Sequence, residues 1–201
     1  MIHRLDPVQL RVLGCLIEKQ RTTPEQYPLT LNALRLACNQ ATNREPVLEL
    51  DESQVRGAAQ SLGTLGWVRL ATGPGSRTPK YRQLFSEALD LLPSEVSILG
   101  VLMLRGGQTV AELKTRTERL HHFASADDVA SVLARLDEKE LVRLLPRRPG
   151  QREERWLHLL GEEQIAESPG PAPSAEPTLE QRLVQIEDRL AELERRLGPA
   201  D

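Results

Sequence analysis

Two stretches of the chain decide its fold: VRGAAQSLGTLGWVRL at residues 55–70 and VASVLARLDEKELVRL at residues 129–144. In both stretches apolar residues recur at positions i, i+3, i+4 and i+7, which is the spacing of one buried face of a helix. Both stretches end in Val-Arg-Leu, a short run that is typical of a strand. The chain therefore contains the same helix–strand unit twice.

The repeat extends toward the N-terminus of each stretch. A shift of 86 residues places Pro7 and Gly14 on Pro93 and Gly100, and each proline lies where it suits the first turn of a helix. The two stretches above are related by a shift of only 74 residues. The first copy therefore has a dozen extra residues between its first and its third helix.

Further elements complete each copy in the same order. They are middle helices at residues 29–38 and 110–117, first strands at 67–70 and 141–144, turn-rich segments at 73–79 and 146–152, and second strands at 80–84 and 155–159. Three helices followed by a strand, a turn and a strand are typical of the winged helix, a helix-turn-helix with an appended β-hairpin. A pair of generic α+β domains is the alternative, and the repetition favours the winged helix.

The fold class that we predict is mainly α with small β-hairpins (α+β). Two tandem winged-helix domains are expected at residues 1–90 and 91–160. Residues 161–177 contain four prolines among polar and small residues and are expected to form a disordered linker.

A heptad pattern follows at residues 178–198 and predicts a coiled-coil helix. Its apolar positions are Leu179, Leu183, Ile186, Leu190, Leu193 and Leu197. A helix of this length is marginal alone in water, so it needs a partner. Docking on the body of the protein is one solution. We favour self-association, which predicts a homodimer.

Composition limits the possible location and partners. Among the 201 residues, 39% are apolar and 27% are charged, and no apolar stretch is long enough to cross a membrane. The N-terminus lacks the apolar core of a signal peptide, and neither Cys15 nor Cys38 has metal-site spacing, so we expect a cytoplasmic protein with free thiols.

Net charge is +2 over residues 1–90, +1 over 91–160 and −6 over 161–201. Any binding to nucleic acid therefore requires a local basic patch.

Three segments carry a resemblance to a known family. They are the runs Glu18–Leu29, Ala37–Val47 and Leu104–Thr109. Together they closely resemble the YceH-like family of uncharacterised bacterial proteins, over about residues 5–160. The resemblance implies a tandem winged-helix fold and implies no activity. The linker and the heptad helix lie outside it.

The second of these runs contains a polar cluster formed by Asn39, Thr42, Asn43, Arg44 and Glu45. Asn and Thr favour turns and caps because their side chains bond to nearby backbone. One interpretation is a rigid loop that holds the middle helix against the third, and we favour it. The other is a polar ligand site in which Glu45 forms a salt bridge with Arg44 and orients it.

No catalytic constellation is evident in the sequence. His121 and His122 are adjacent and do not share a helix face, so they are a poor metal pair. The segment around Gly73 and Gly75 lacks phosphate-loop spacing. Cys15 lies in an apolar helix, where packing is its expected role. We therefore predict that the protein is not an enzyme and uses no cofactor or metal.

Two functional hypotheses remain, from different classes. The first is a DNA-associated transcriptional regulator that contacts the phosphates of duplex DNA through its wings and third helix. The candidate residues are Arg56, Arg77, Lys80, Arg147, Arg148, Arg152 and Arg155. The second is a protein–protein interaction adaptor that does not bind DNA, which the acidic third helix of the second copy favours. An enzyme or small-molecule sensor at the loop Asn39–Glu45 is a third, weaker hypothesis.

Overall fold

The computed structural model describes residues 3–71, 78–147 and 153–161, all of which belong to one compact unit, Met1–Ala166. The helices within these ranges are α1 (Pro7–Thr22), α2 (Leu31–Cys38), α3 (Glu52–Thr64), α4 (Phe85–Ala88), α5 (Pro93–Arg105), α6 (Val110–Thr117) and α7 (Ala126–Glu138). The strands are β1 (Leu29–Thr30), β2 (Val68–Ala71), β3 (Lys80–Gln83), β4 (Val142–Leu145) and β5 (Arg155–His158). These elements confirm the predicted α+β class.

Three helices of the first half correspond to the three of the second, and the short α4 has no counterpart among the described residues. Helices α1 and α5 begin 86 residues apart, α2 and α6 begin 79 apart, and α3 and α7 begin 74 apart. The dozen extra residues of the first half are therefore divided between two places: seven precede α2 and five lie between α2 and α3. Part of the first insertion forms a 3₁₀ turn, Pro24–Gln26.

Side-chain caps define where the helices begin. In α3 the side chain of Asp51 accepts a hydrogen bond from the Gln54 amide, and the Gln54 side chain accepts one from the Asp51 amide. The same reciprocal arrangement starts α1, α6 and α7. Each cap satisfies two backbone N–H groups that the first helical turn leaves without intrahelical partners. The starts of these helices are therefore encoded locally.

The first sheet explains one difference from the predicted elements. Its strand order is β1-β3-β2, and Leu29 of β1 pairs with Tyr81. The middle helix predicted from residue 29 begins instead at Leu31, because residues 29 and 30 are extended and Thr30 caps α2. In the second half, Gln108 forms the equivalent bridge to Trp156 beside the β4-β5 hairpin. Both halves are compatible with the predicted winged helices.

The two halves pack against each other through α1 and α5. A Cβ atom added to Gly14 would lie 2.9 Å from Cγ of Leu104 and 3.2 Å from Cβ of Met103. A Cβ atom added to Gly100 would lie 2.8 Å from Cγ2 of Ile17. Gly14 and Gly100 are related by the repeat shift of 86 residues, as are Ile17 and Met103. The junction is therefore reciprocal, like the interface of a two-fold dimer formed within one chain.

The predicted linker begins at Gly161, which is buried and forms an isolated bridge with Leu5. The remaining linker residues, 162–177, and the predicted heptad helix lie outside the described residues, so the six apolar heptad positions stay a prediction. Within the described ranges, no helix is long and apolar enough to cross a membrane.

Candidate functional site

Arg44 is the centre of the loop that contains the polar cluster, residues 39–47, which we call the signature loop, and it is buried. Its guanidinium forms a bidentate pair with Glu18 of α1, at 3.1 Å from Nη1 to Oε1 and 2.6 Å from Nη2 to Oε2. Nε donates to the carbonyl of Ala37 at 3.1 Å, and Nη1 also donates to that of Asn43 at 2.9 Å. Burial is the largest single influence and lowers the pKa of Arg44, but the bond to Glu18 and the nearby negative charges together raise the net pKa. The arginine is held charged inside the protein.

The hypothesis that Glu45 orients Arg44 is wrong. Glu45 is exposed, and its backbone N–H donates to the carbonyl of Leu104 at 2.8 Å. Glu18 takes its place because α1 presents that carboxylate directly to the guanidinium. The pairing joins residues that are 26 positions apart in the sequence.

The remaining residues of the cluster hold the loop in place. The side-chain amide of Asn39 donates to the carbonyl of Leu50 at 2.8 Å and accepts from its N–H at 2.9 Å. Asn43 has a positive φ of 62° and accepts a hydrogen bond from Arg105 of α5 through Oδ1. Thr42 is exposed. These contacts support the rigid-loop interpretation, since the Arg44 side chain is 0% exposed and offers no surface to a ligand.

A second buried arginine was missed by the sequence analysis. Arg11 of α1 is 2% exposed, donates through Nη1 to the carbonyl of Cys38 at 3.0 Å, and donates through Nη2 to that of Pro46. Burial lowers its pKa. Its position among apolar residues of a helix could have indicated that Arg11 is buried.

The predicted DNA-contacting residues have different environments. Arg77, Arg148 and Arg152 lie outside the described residues. Arg56 is exposed on α3, and its Nη2 lies 3.8 Å from Oε2 of Glu52. Arg147 is exposed just after β4. Lys80 is half-buried at the start of β3.

Arg155 is turned toward the body of the protein. It donates to Gly107 at 2.8 Å and forms an ion pair with Glu112 of α6 at 2.9 Å. These contacts stabilise the attachment of β5 to the second half.

Two other arginines are better placed for an external contact. Arg69 of β2 and Arg143 of β4 are both exposed, and within the described ranges neither forms an ion pair. They occupy the second position of their strands, so the repeat relates them. Both arginines lie in the repeated Val-Arg-Leu run, which predicted the two strands but could also have indicated a pair of equivalent exposed cations.

The third helices differ in charge for reasons that the structure explains. Asp128 of α7 is part of a cap with Ser125. The cations of α7, Arg135 and Lys139, lie 3.6 Å and 3.0 Å from the buried carboxylate of Glu95. The outer face of α7 therefore retains exposed carboxylates, whereas α3 has Glu52 paired with Arg56.

The protein shows no metal centre in the part of the chain that the structure describes. No group of three or more His, Cys, Asp or Glu side chains among those residues is placed to hold a metal ion.

Comparison with known proteins places the chain in a family. The family described as "Protein of unknown function, DUF480" matches residues 5–151. A UPF0502 protein of Pseudomonas syringae pv. tomato is 43% identical over 97% of this chain and 91% of its own length. One from Stenotrophomonas maltophilia is 45% identical over 98% and 94%, and one from Ectopseudomonas mendocina is 48% identical over 92% and 88%. The expectation of an uncharacterised bacterial family is confirmed. This chain belongs to the DUF480 family of proteins of unknown function.

Proposed function

We propose that this protein is a DNA-associated regulator that contacts backbone phosphates through its two β-hairpins. The observation that carries the proposal is the pair of exposed arginines, Arg69 and Arg143, at equivalent positions of β2 and β4. A guanidinium without a carboxylate partner is free to bind a phosphate and to release its counterions.

The reciprocal packing of α1 against α5 supports this proposal. It brings together residues that the repeat relates, as in the interface of a two-fold dimer, and a two-fold arrangement of the halves would give both hairpins equivalent positions in one chain. Duplex DNA is a repeating polyanion with its own local two-fold axes, so one chain offers it two equivalent cations. A homodimer formed through the predicted heptad helix would double that number.

Helix α3 is the better candidate for the major groove. Its exposed side chains include Arg56, Gln60 and Ser61, whereas α7 presents Asp127 and Asp137 on its exposed surface. Carboxylates that face phosphate oppose binding. In this proposal α7 therefore does not enter the groove, and the second half contributes its hairpin.

The test is binding to a random-sequence duplex as a function of salt concentration. We expect binding at low salt that weakens as salt rises. The double variant Arg69→Ala/Arg143→Ala should bind more weakly, with a log–log salt slope shallower by about 0.9 for each phosphate that it no longer neutralises. Arg21→Ala, at an exposed position near the end of α1, is the matched control and should bind as the parent does.

Two outcomes would contradict the proposal. One is the absence of binding at low salt by the full-length protein. The other is a double variant whose affinity and salt slope equal those of the Arg21→Ala control.

A protein–protein adaptor is the second candidate. The observation that favours it is the group of exposed carboxylates on α7, formed by Asp127, Asp137 and Glu138, which suits a basic partner. Copurification from cells treated with nuclease separates the two candidates. A partner that stays bound after nuclease treatment, and that no longer binds when these three residues are changed to Asn or Gln, would support the adaptor.

A further inference from the structure

Three arginines, Arg105, Arg116 and Arg155, gather where the signature loop meets the end of α5. Arg105 is the last residue of α5 and donates to Oδ1 of Asn43 in the loop. Two positions further along the chain, the carbonyl of Gly107 accepts a hydrogen bond from Arg155 of β5 at 2.8 Å. The end of α5 is therefore in contact with both the signature loop and β5.

Glu112 of α6 is the carboxylate that two of these arginines share. Its Oε1 lies 3.4 Å from Nη2 of Arg155 and 3.4 Å from Nη2 of Arg116. Its Oε2 lies 2.9 Å from Nη1 of Arg155 and accepts a hydrogen bond from the N–H of Thr109 at 2.9 Å. Because both guanidiniums contact the same oxygen, they lie side by side.

Positive charge exceeds negative charge in this group. Arg105 forms no ion pair within the described residues, and its acceptor on Asn43 is a neutral amide oxygen. If Arg155 and Glu112 are counted as a neutral pair, Arg105 and Arg116 remain as two cations.

The electrostatic environment of Arg105 reflects this excess. Burial, and next the nearby guanidiniums of Arg116 and Arg44, lower the pKa of Arg105. The carboxylates of Glu18 and Glu45 act in the opposite direction, but the net pKa stays lowered. Arg105 and Arg116 are therefore close enough to repel each other.

Most N–H groups of Arg105 and Arg116 have no protein acceptor among the described residues. A guanidinium has five N–H donors, whereas Arg116 contacts only Glu112 and the side chain of Arg105 contacts only Asn43. The side chains of Arg116 and Arg155 are 30% and 23% exposed, and Arg105 is half-buried, so these donors are reachable but recessed. Water and salt screen a recessed charge less than a fully exposed one.

We propose that Arg105, Arg116 and Arg155 form a binding site for a small anion that carries a phosphate group. Guanidinium groups match the oxygens of phosphate in a bidentate geometry, and two excess cations suit a phosphate dianion better than a single carboxylate. Small size follows from the recessed position, in contrast to the exposed Arg69 and Arg143. The proposal is independent of the DNA contact, since it involves neither of those two arginines.

The bound anion would connect elements of both halves of the protein. It would remove the repulsion between Arg105 and Arg116, and Arg105 also bonds to Asn43 of the signature loop. A ligand that binds only the folded state raises the free energy of unfolding. We therefore expect the anion to stabilise the protein as it binds.

The primary test uses the full-length protein in a buffer without phosphate, at an ionic strength held constant with sodium chloride. Inorganic phosphate and pyrophosphate are the probes, and calorimetric titration and thermal unfolding are the measurements. We expect one pyrophosphate to bind per chain, more tightly than phosphate because it carries more charge, and the unfolding midpoint to rise until the site is saturated. Absence of saturable binding of both probes would overturn the proposal.

Two variants locate the site. Arg116→Gln should weaken pyrophosphate binding by about tenfold or more, which is the loss expected for one charge-assisted hydrogen bond. Arg105→Gln should have the same effect, and it serves as the test if the first variant does not fold.

Arg56→Gln is the matched control. Arg56 and Arg116 each pair with a glutamate four positions earlier in a helix, so the chemical change is the same at both places. Arg56→Gln should bind pyrophosphate as the parent does. Equal affinity in the parent and in all the variants would mean an adventitious ion only and would overturn the proposal.

Duplex DNA also carries phosphates, and a second measurement separates the two sources. We expect Arg116→Gln to bind a random-sequence duplex with the affinity of the parent, while its affinity for pyrophosphate falls. A loss of duplex affinity as large as the loss of pyrophosphate affinity would assign these arginines to the DNA backbone and overturn the small-anion site. The pyrophosphate titration itself does not depend on whether the protein binds DNA.

Discussion

At the scale of single residues, the buried charges have the clearest structural role. The pair of Arg44 and Glu18 holds the signature loop against α1 with two direct hydrogen bonds. A buried pair of this kind adds little to stability over apolar packing, but losing one partner is costly because the other charge is left unpaired. Its value lies in fixing one conformation of the loop.

We therefore expect Glu18→Gln to destabilise the protein strongly. The change leaves Arg44 buried with a neutral amide, and the expected loss is about 3–5 kcal/mol in the free energy of unfolding. Urea denaturation measures it. Glu45→Gln is the matched control: the same chemical change in an exposed side chain of the same loop should cost about 0.5 kcal/mol or less. Equal losses in the two variants would mean that Glu18 is not the partner of Arg44.

His158 predicts a pH dependence of stability. It is fully buried in β5, its Nδ1 accepts from the N–H of Leu160 at 3.3 Å, and its Nε2 has no partner among the described residues. Burial lowers the pKa of His158 from 6.5 to about 4. The unfolded chain therefore takes up a proton between these pH values while the folded protein does not.

The sign follows from this difference in proton binding. The free energy of unfolding should fall as pH decreases from 6.5 toward 4, by about 1.4 kcal/mol per pH unit from this residue. In His158→Gln the loss of packing should cost the same free energy at every pH, which lowers the whole curve of unfolding free energy against pH. Because the titrating group is gone, the slope of that curve between pH 4 and 6.5 should be shallower by about 1.4 kcal/mol per pH unit. Denaturant titrations at several pH values test it. A variant curve parallel to that of the parent would show that His158 does not control acid stability.

At the scale of elements, local patterns decided which parts were predictable. The third helices combine apolar spacing with a cap, and both signals lie within one short window. Strand β1 has two residues, too few for any periodicity, and it exists only because β3 lies beside it. The partners of Arg44 and Arg11 were missed for a related reason, since pairing across 26 or more residues leaves no local trace.

The cap of α7 gives a test at this scale. Ser125→Ala removes the oxygen that accepts from the Asp128 amide, and the expected cost is about 1 kcal/mol. Ser131→Ala, the same change on the exposed face of the same helix, removes only a bond to the carbonyl of Asp127 and should cost less than about 0.5 kcal/mol. Thermal and urea unfolding measure both variants. A Ser131→Ala loss as large as that of Ser125→Ala would contradict the capping account.

At the scale of the whole molecule, the organising feature is the reciprocal contact of α1 and α5. The sequence predicted that Gly14 and Gly100 are equivalent, but it did not predict that each faces the other half. Their equivalence was visible as a repeat, whereas the contact arises only when the two helices meet. The missing side chains let the helices approach closely, so these glycines have a packing role that composition does not show.

This contact predicts the effect of adding one methyl group at each glycine. In Gly14→Ala and Gly100→Ala the new Cβ would lie 2.9 Å from Leu104 and 2.8 Å from Ile17, so the helices or those side chains must move. We expect each variant to lose about 1–3 kcal/mol in the free energy of unfolding.

Gly57→Ala is the control for the change of residue type. Gly57 also lies within a helix, but nothing comes within 4 Å of its added Cβ, so alanine should stabilise the protein by about 0.5–1 kcal/mol. Replacing a helical glycine by alanine raises the helix propensity at that position. A lower free energy of unfolding in Gly14→Ala or Gly100→Ala therefore reports crowding at the junction of α1 and α5. If Gly14→Ala and Gly100→Ala gain stability as Gly57→Ala does, α1 and α5 do not pack closely, and their junction no longer supports equivalent positions for the two hairpins.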